Sequence, residues 1–156
     1  MTVVRTSGHR ASSMMDIAMN ERPYAQAINR LREADLRPTR QRLALAKLLF
    51  EQGCDRHVTA ETLHEEAQKS GARVSLATVY NTLHQFTDVG LLREIMVDSG
   101  KTYFDTNIND HHHFLCERSG QLTDIPAHMV TVAELPQAPD GRKISRVDIV
   151  IRICDH

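Results

Sequence analysis

The stretch "VSLATVYNTLHQFTDVGLL" (74–92) limits the possible folds more than any other in the chain. Ser75 offers a hydroxyl to cap a helix start. Leu76, Val79, Leu83 and Phe86 then recur at helical spacing, and Gly90 marks the stop. The opposite edge carries Thr78, Asn81, Thr82 and Gln85, which are uncharged hydrogen-bonding side chains. A helix with one apolar stripe has to bury it against other elements. A small polar face on the other side suits the edges of bases in a groove.

The segments around this helix say what it packs with. Two helical patterns fill 22–53 and are split at "LRPTRQR" (36–42), where Pro38 disfavours helix at Arg37 and Thr39 can cap the next one. Leu45, Leu48 and Leu49 give that helix its apolar side, and Gly53 stops it. "HVTAETLHEEAQKSG" (57–71) predicts a further helix, with Thr59 as cap, Glu61 in the first turn, an Ala60, Leu63, Ala67 stripe, and Gly71 at its end. "LLREIMVDSGKTYFDTN" (91–107) predicts a hairpin around "DSG". Helix, helix, helix, hairpin is the order of a winged helix-turn-helix, whose second short helix enters the major groove of double-stranded DNA. A small helical domain with no nucleic-acid role is the plainer alternative. Arg37, Arg40 and Arg42 favour DNA, because they concentrate positive charge in a chain whose net charge is only −1.

Beyond residue 107 the pattern changes. "HHFLCERSGQLTDI" (112–125) predicts a hairpin turning at Ser119-Gly120, and 126–135 a short helix. "RKISRVDIVIRI" (142–153) predicts a strand with Val147, Ile149, Ile151 and Ile153 on one face. The expected fold class is α+β: an N-terminal winged helix-turn-helix domain plus a small C-terminal α/β dimerisation domain. The expected division is a flexible arm at 1–20, the DNA-binding domain at 21–100, a hinge at 101–107, and a dimerisation and effector-binding unit at 108–156. A unit of about fifty residues is small to be stable alone. A homodimer is therefore expected, with a tetramer left open.

The 156 residues are 41% hydrophobic and 25% charged, an ordinary globular composition. No apolar run approaches the ~20 residues that cross a bilayer, and the first twenty residues lack a secretory pattern. A cytoplasmic protein with no membrane partner is expected. Cys54, Cys116 and Cys154 are too scattered for a disulfide framework. A four-thiolate zinc site needs C-x2-C pairs, and Ser119 stands where the partner of Cys116 would be, so no such site is expected. There is no P-loop, H-E-x-x-H or Ser/His/Asp signature, so no enzyme is expected.

"NDHHHFLCERSGQLTDI" (109–125) carries the ligand chemistry. In a strand, His111 and His113 share one side and His112 points to the other. Two imidazoles with Asp105 and Asp124 from neighbouring strands make a mixed nitrogen and oxygen set, suited to Fe, Mn, Zn or Co. An imidazole from the first domain, such as His57, would turn the site into a strut between domains. A solvated run of histidines with no ligand is the alternative.

"LRPTRQR", "HVTAETLHEEA", "VSLATVYNTLHQFTDVGLL", "KTYFDTN" and "HHHFLCERSG", in this order, resemble the ferric uptake regulator family over roughly residues 25–155. The uninterrupted "HHH", "TYFDTN" and the short tail resemble most the iron response regulator branch. The resemblance implies a dimer that binds palindromic A·T-rich operators, mainly repressing iron-consuming and haem-synthesis genes under iron limitation. It places a regulatory metal site for Fe²⁺ or Mn²⁺, with Zn²⁺ as surrogate, on His57, Asp105, His111, His113 and Asp124. It also implies haem binding at His111, His112 and His113 that relieves DNA binding. Asp124 is the choice of the peroxide-sensing branch. DNA contacts would fall on Arg37, Thr39, Arg40, Ser75, Thr78, Tyr80 and Asn81, with Tyr80 reading bases and Arg37 in the minor groove. Asn81 replaces an arginine common in relatives, which implies a different operator preference. The alternatives are a repressor activated by Fe²⁺ or Mn²⁺, a peroxide-sensing repressor, and a haem or metal buffer protein.

Overall fold

The computed structural model describes residues 24–98 and 100–155; the arm expected at 1–20 lies outside them. The described elements run α1 (Ala25–Glu33), α2 (Arg40–Phe50), β1 (His57–Val58), α3 (Ala60–Lys69), α4 (Leu76–Asp88), β2 (Arg93–Asp98), β3 (Lys101–Asp105), β4 (His111–Cys116), β5 (Leu122–Pro126) and β6 (Val150–Ile153). Among the described residues no helix is long and apolar enough to cross a membrane.

The helices start where the sequence offers caps. Thr39 Oγ1 accepts from the Arg42 amide at 3.3 Å, Thr59 Oγ1 from Thr62 at 3.2 Å, and Ser75 Oγ from Thr78 at 3.1 Å. Each cap contributes ~1 kcal/mol by satisfying an amide that the helix leaves open. The apolar stripes meet in one core: Leu31, Leu45, Leu49, Leu63, Val79, Leu83 and Phe86 are fully buried. At ~1.5–3 kcal/mol for each large side chain, this cluster is the main stabilising element of the head, the unit built on α1–α4 and the wing. Gly90 adopts φ 77°, which lets the chain turn back so that the Leu91 amide bonds the Phe86 carbonyl at 2.8 Å. Thr82, expected on the open polar face of α4, is buried instead, because the helix is sunk further into the core than its apolar stripe alone requires.

Residues 57–58, ahead of the expected Thr59 cap and given no strand by the sequence pattern, form a strand. β1 pairs antiparallel with β3, His57 facing Asp105 and Val58 facing Phe104. Two residues are too short to show an alternating pattern, and the pairing is long-range. The first sheet has the order β1-β3-β2, so the wing hairpin is joined to the helical layer by β1. Lys101–Asp105, expected inside a hinge, is the second wing strand, and 106–110 links the two sheets.

The second sheet has the order β5-β4-β6, with β4 antiparallel to β5 and parallel to β6. Ile95 and Tyr103 of the wing meet Leu115 and Leu122 of this sheet in a small buried cluster. The Tyr103 hydroxyl donates to the Gly120 carbonyl across the same contact. The helix expected at 126–135 is reduced to one 3-10 turn, Ala127–Met129. Met129, Val132 and Leu135 stay exposed, so no apolar face is buried that would hold a helix together. The strand expected over 142–153 pairs only at Val150–Ile153, because its earlier residues have no strand to pair with in a single chain.

A candidate metal centre between the two sheets

Alternation along β4 sends His111 and His113 to the face turned towards the wing, where both are buried. The β4–β5 register sets Asp124 opposite His113, and the β1–β3 register sets Asp105 opposite His57. These side chains converge from four strands, two in each sheet. Among the described residues, one ligand atom from each of His57, Asp105, His111, His113 and Asp124 lies within 4.8 Å of all the others.

The shorter separations match those between neighbouring donors on one ion. His111 Nε2 is 2.8 Å and His113 Nε2 3.2 Å from Asp105 Oδ2, and His57 Nε2 is 2.8 Å from Asp124 Oδ1. His111 Nε2 and His113 Nε2 are 2.9 Å apart. Metal–ligand bonds of ~2.0–2.2 Å place neighbouring donors ~3 Å from one another. His57 Nε2 and Asp124 Oδ1 are both buried, and neither makes an aligned hydrogen bond. These atoms face a shared centre, an arrangement that a cation satisfies. Three imidazole nitrogens, two carboxylates and no sulfur fit Fe²⁺, Mn²⁺, Co²⁺ or Zn²⁺.

The surroundings hold the ligands in place. The Asn109 carbonyl is 2.7 Å from His111 Nδ1, so the proton belongs on Nδ1 and leaves Nε2 free to ligate. Asn107 supports both acids: its amide donates to Asp105 Oδ1 and its Nδ2 to Asp124 Oδ2, each at 2.8 Å. Arg93 lies behind His111, its Nη1 3.0 Å from Nδ1. Burial alone would raise the Asp105 carboxyl, but the His113 and His57 imidazoles and the Asn107 amide beside it outweigh that and hold the group far below the usual carboxylate range. Burial lowers His57, and the two acids more than reverse that, so its imidazole is raised. Arg93 and Asn107 were not among the sequence candidates. The "DTN" turn after β3 was the one local signal for Asn107; Arg93 had none.

His112 lies on the other face of β4, half-buried, and its Nδ1 has no hydrogen-bond partner among the described residues. The three consecutive histidines therefore do not make one site.

The candidate DNA contacts gather on two helix starts. Arg37, Thr39 and Arg40 are exposed at the entrance to α2, and Ser75, Thr78, Tyr80 and Asn81 lie at or in the first half of α4. Arg42 joins these regions. Its Nε and Nη2 donate to Gln85 Oε1 at 3.2 and 2.9 Å, and its Nη1 to the Arg37 carbonyl at 3.0 Å. The Tyr80 hydroxyl donates to Glu61 Oε1 at 2.5 Å, which lowers the Glu61 carboxyl and raises the phenol. Thr39 and Ser75 already use their oxygens as caps.

The model of the ferric uptake regulator family matches residues 33–152. A peroxide-responsive repressor of Staphylococcus aureus is 31% identical over 110 residues, 70% of this chain and 73% of that protein. A Pseudomonas aeruginosa ferric uptake regulator solved with manganese superposes with a TM-score of 0.61 at 24% identity, over 83% of this chain and 97% of that one. The Vibrio cholerae ferric uptake regulator gives 0.62 at 22% identity, over 81% and 98%. At these identities the two structures establish the shared fold.

Proposed function

The chain belongs to the ferric uptake regulator family, whose members are transcription regulators and not enzymes, and from that premise we propose that it is a metal-responsive repressor. In this reading a dimer binds operator DNA through α4, and a divalent transition metal held by His57, Asp105, His111, His113 and Asp124 sets how tightly. The observation that carries it is the convergence of these five side chains from both sheets. His57 and Asp105 belong to the sheet that carries the wing, and the other three to the second sheet. The ion would supply the positive charge that lets buried carboxylates and neutral imidazoles share one point. Filling the site ties the head to the second sheet, and the ion shifts the equilibrium by its preference for that joined state.

Dimerisation is supported by the second unit. Met129, Val132, Leu135, Ile144, Ile151 and Ile153 are exposed in one chain, and β6 is an open edge. Sedimentation distinguishes a dimer from a tetramer.

The effector has two finer readings. Peroxide response through a bound Fe²⁺ is favoured by the named function of the Staphylococcus aureus relatives and by an aspartate at 124. Haem relief of DNA binding, as in the iron response regulator branch, is favoured by the histidine run, under a geometric condition. Haem has to use His112, on the far face of β4, or open the five-residue cluster to reach His111 and His113.

The test selects a duplex from a random pool with the full-length protein and Mn²⁺, then measures binding to it with chelator, Mn²⁺, or haem. We expect Mn²⁺ to tighten binding roughly 5–150-fold over chelator. Equal binding in chelator and Mn²⁺ overturns the metal-responsive reading. A loss of affinity with haem that survives His112→Ala excludes His112 as its ligand.

A further inference from the structure

We propose that Arg93 is a positioning residue that couples the five-residue ion site to the docking of the reading head on the second sheet. This rests on the metal-responsive reading above. Arg93 opens β2, within the wing, and is 6% exposed. Its Nη1 donates to the Asn109 carbonyl at 2.5 Å and lies 3.0 Å from His111 Nδ1, while its Nη2 donates to Asp148 Oδ1 at 2.6 Å. One guanidinium from the first sheet thus touches the connector, the back of a proposed ligand, and the segment leading into β6.

Burying a charge is unfavourable without compensation, and an apolar side chain of similar volume usually fills such a space at least as stably. A structural role alone therefore does not explain a cation here. Its Nε is buried with no hydrogen-bond partner among the described residues, so the group is not placed for the most complete bonding either. A planar guanidinium does hold several acceptors in fixed relation, which an ammonium on a flexible stem does not. His111 and Arg93 share the Asn109 carbonyl. A turn of the imidazole on taking up an ion therefore displaces the guanidinium, and the guanidinium displaces Asp148. Asp148 is half-exposed and also accepts from Arg146 Nε at 2.7 Å, so this end of the chain of contacts can exchange partners without leaving a buried charge alone.

The experiment uses the full-length chain and the variants Arg93→Met, Arg93→Lys and Asp148→Asn. Co²⁺ is the probe of ligand geometry through its visible bands. Mn²⁺ against chelator is the probe of coupling, read as affinity for the duplex selected by the wild type. Arg93→Met is expected to bind one Co²⁺ per chain with displaced bands, and to lose most of the roughly 5–150-fold Mn²⁺-dependent gain. Asp148→Asn, remote from the ligands, is expected to keep the bands and lose the gain. Arg93→Lys keeps the charge without the fork, and its gain is expected to stay below half that of the wild type. Should Arg93→Met fail to fold, Asp148→Asn carries the test, because its carboxylate is exposed. A wild-type gain that persists in Asp148→Asn, or in folded Arg93→Met, overturns this inference alone. A wild type that gains nothing from Mn²⁺ overturns the metal-responsive reading and this inference with it.

Discussion

Helices α1–α4 and the second sheet bury their apolar residues to different extents. In the head, Leu31, Leu45, Leu49, Leu63, Leu83 and Phe86 are inaccessible to solvent. In the second unit Leu115, Leu122 and Ile125 are buried, but Leu135, Ile144 and Ile153 are about half exposed in a single chain. Where the two meet, charged or titratable groups are buried alongside apolar ones: Asp105, His111, His113 and Arg93. The head is finished by its own side chains. In the proposed reading the second unit is completed by two things from outside, another apolar surface and a cation. That division suits a regulator, because a part completed by an external species can report on that species.

The largest expected effect tests whether the head stands on its own core. Phe86→Ala removes a fully buried ring and should destabilise by ~3–5 kcal/mol, a large part of the ~5–15 kcal/mol that holds a domain together. Ile153→Ala should change the unfolding midpoint of monomeric protein little, and instead raise the dimer dissociation constant. Urea denaturation and sedimentation separate the two; equal loss of stability from both would erase the contrast.

Next is the cation. Asp105→Asn keeps shape and removes one charge from the buried cluster. Mn²⁺ affinity should fall at least roughly 10–100-fold, the range for disturbed support around a metal, while far-UV dichroism stays as in the wild type. A metal-binding isotherm checks this directly.

A pH series sharpens the same contrast. His57 is raised in the folded state, so in chelator its contribution is complete below its ordinary value of about 6.5 and disappears as pH rises through the raised value. Asp105 is depressed, so its contribution is present above the ordinary carboxylate range and is lost as acid protonates it. The chelated protein should therefore lose melting temperature as pH rises from about 6.5 through the raised His57 value, and His57→Gln should flatten that slope. With Mn²⁺ the slope should reverse, because metal needs deprotonated imidazoles. Calorimetric scans with and without Mn²⁺ give both signs.

The smallest effect is local. Thr59→Ala removes the cap of α3 and should destabilise by ~1 kcal/mol without altering Mn²⁺ affinity. A changed affinity would mean that the head and the site are less separable than their packing implies.

The head was legible because its signals are local. Thr39, Thr59 and Ser75 cap within three residues, and Leu83 and Phe86 repeat within one turn. β1 was not legible, since a two-residue strand is defined only by its partner Phe104–Asp105, far along the chain. In the site, His111 and His113 follow from strand alternation. Asp105 and Asp124 join them as acids of neighbouring strands and His57 as an imidazole of the first domain, a set the family resemblance repeats, and the structure brings all five together. Arg93 could not be read, because its meaning comes from Asp148, 55 positions away. The stretch 130–149 misled because apolar residues such as Val132, Leu135 and Ile144 find nothing to bury against among the described residues.

One paired titration bears most directly on the proposal that occupancy of the five-residue centre governs DNA affinity. Mn²⁺ is added to the full-length protein while its free fraction is followed by electron paramagnetic resonance and the anisotropy of the labelled duplex is read in the same sample. The two curves should rise together to one ion per chain, and both should vanish in His113→Ala. Stoichiometric Mn²⁺ uptake that leaves the anisotropy unmoved would contradict it.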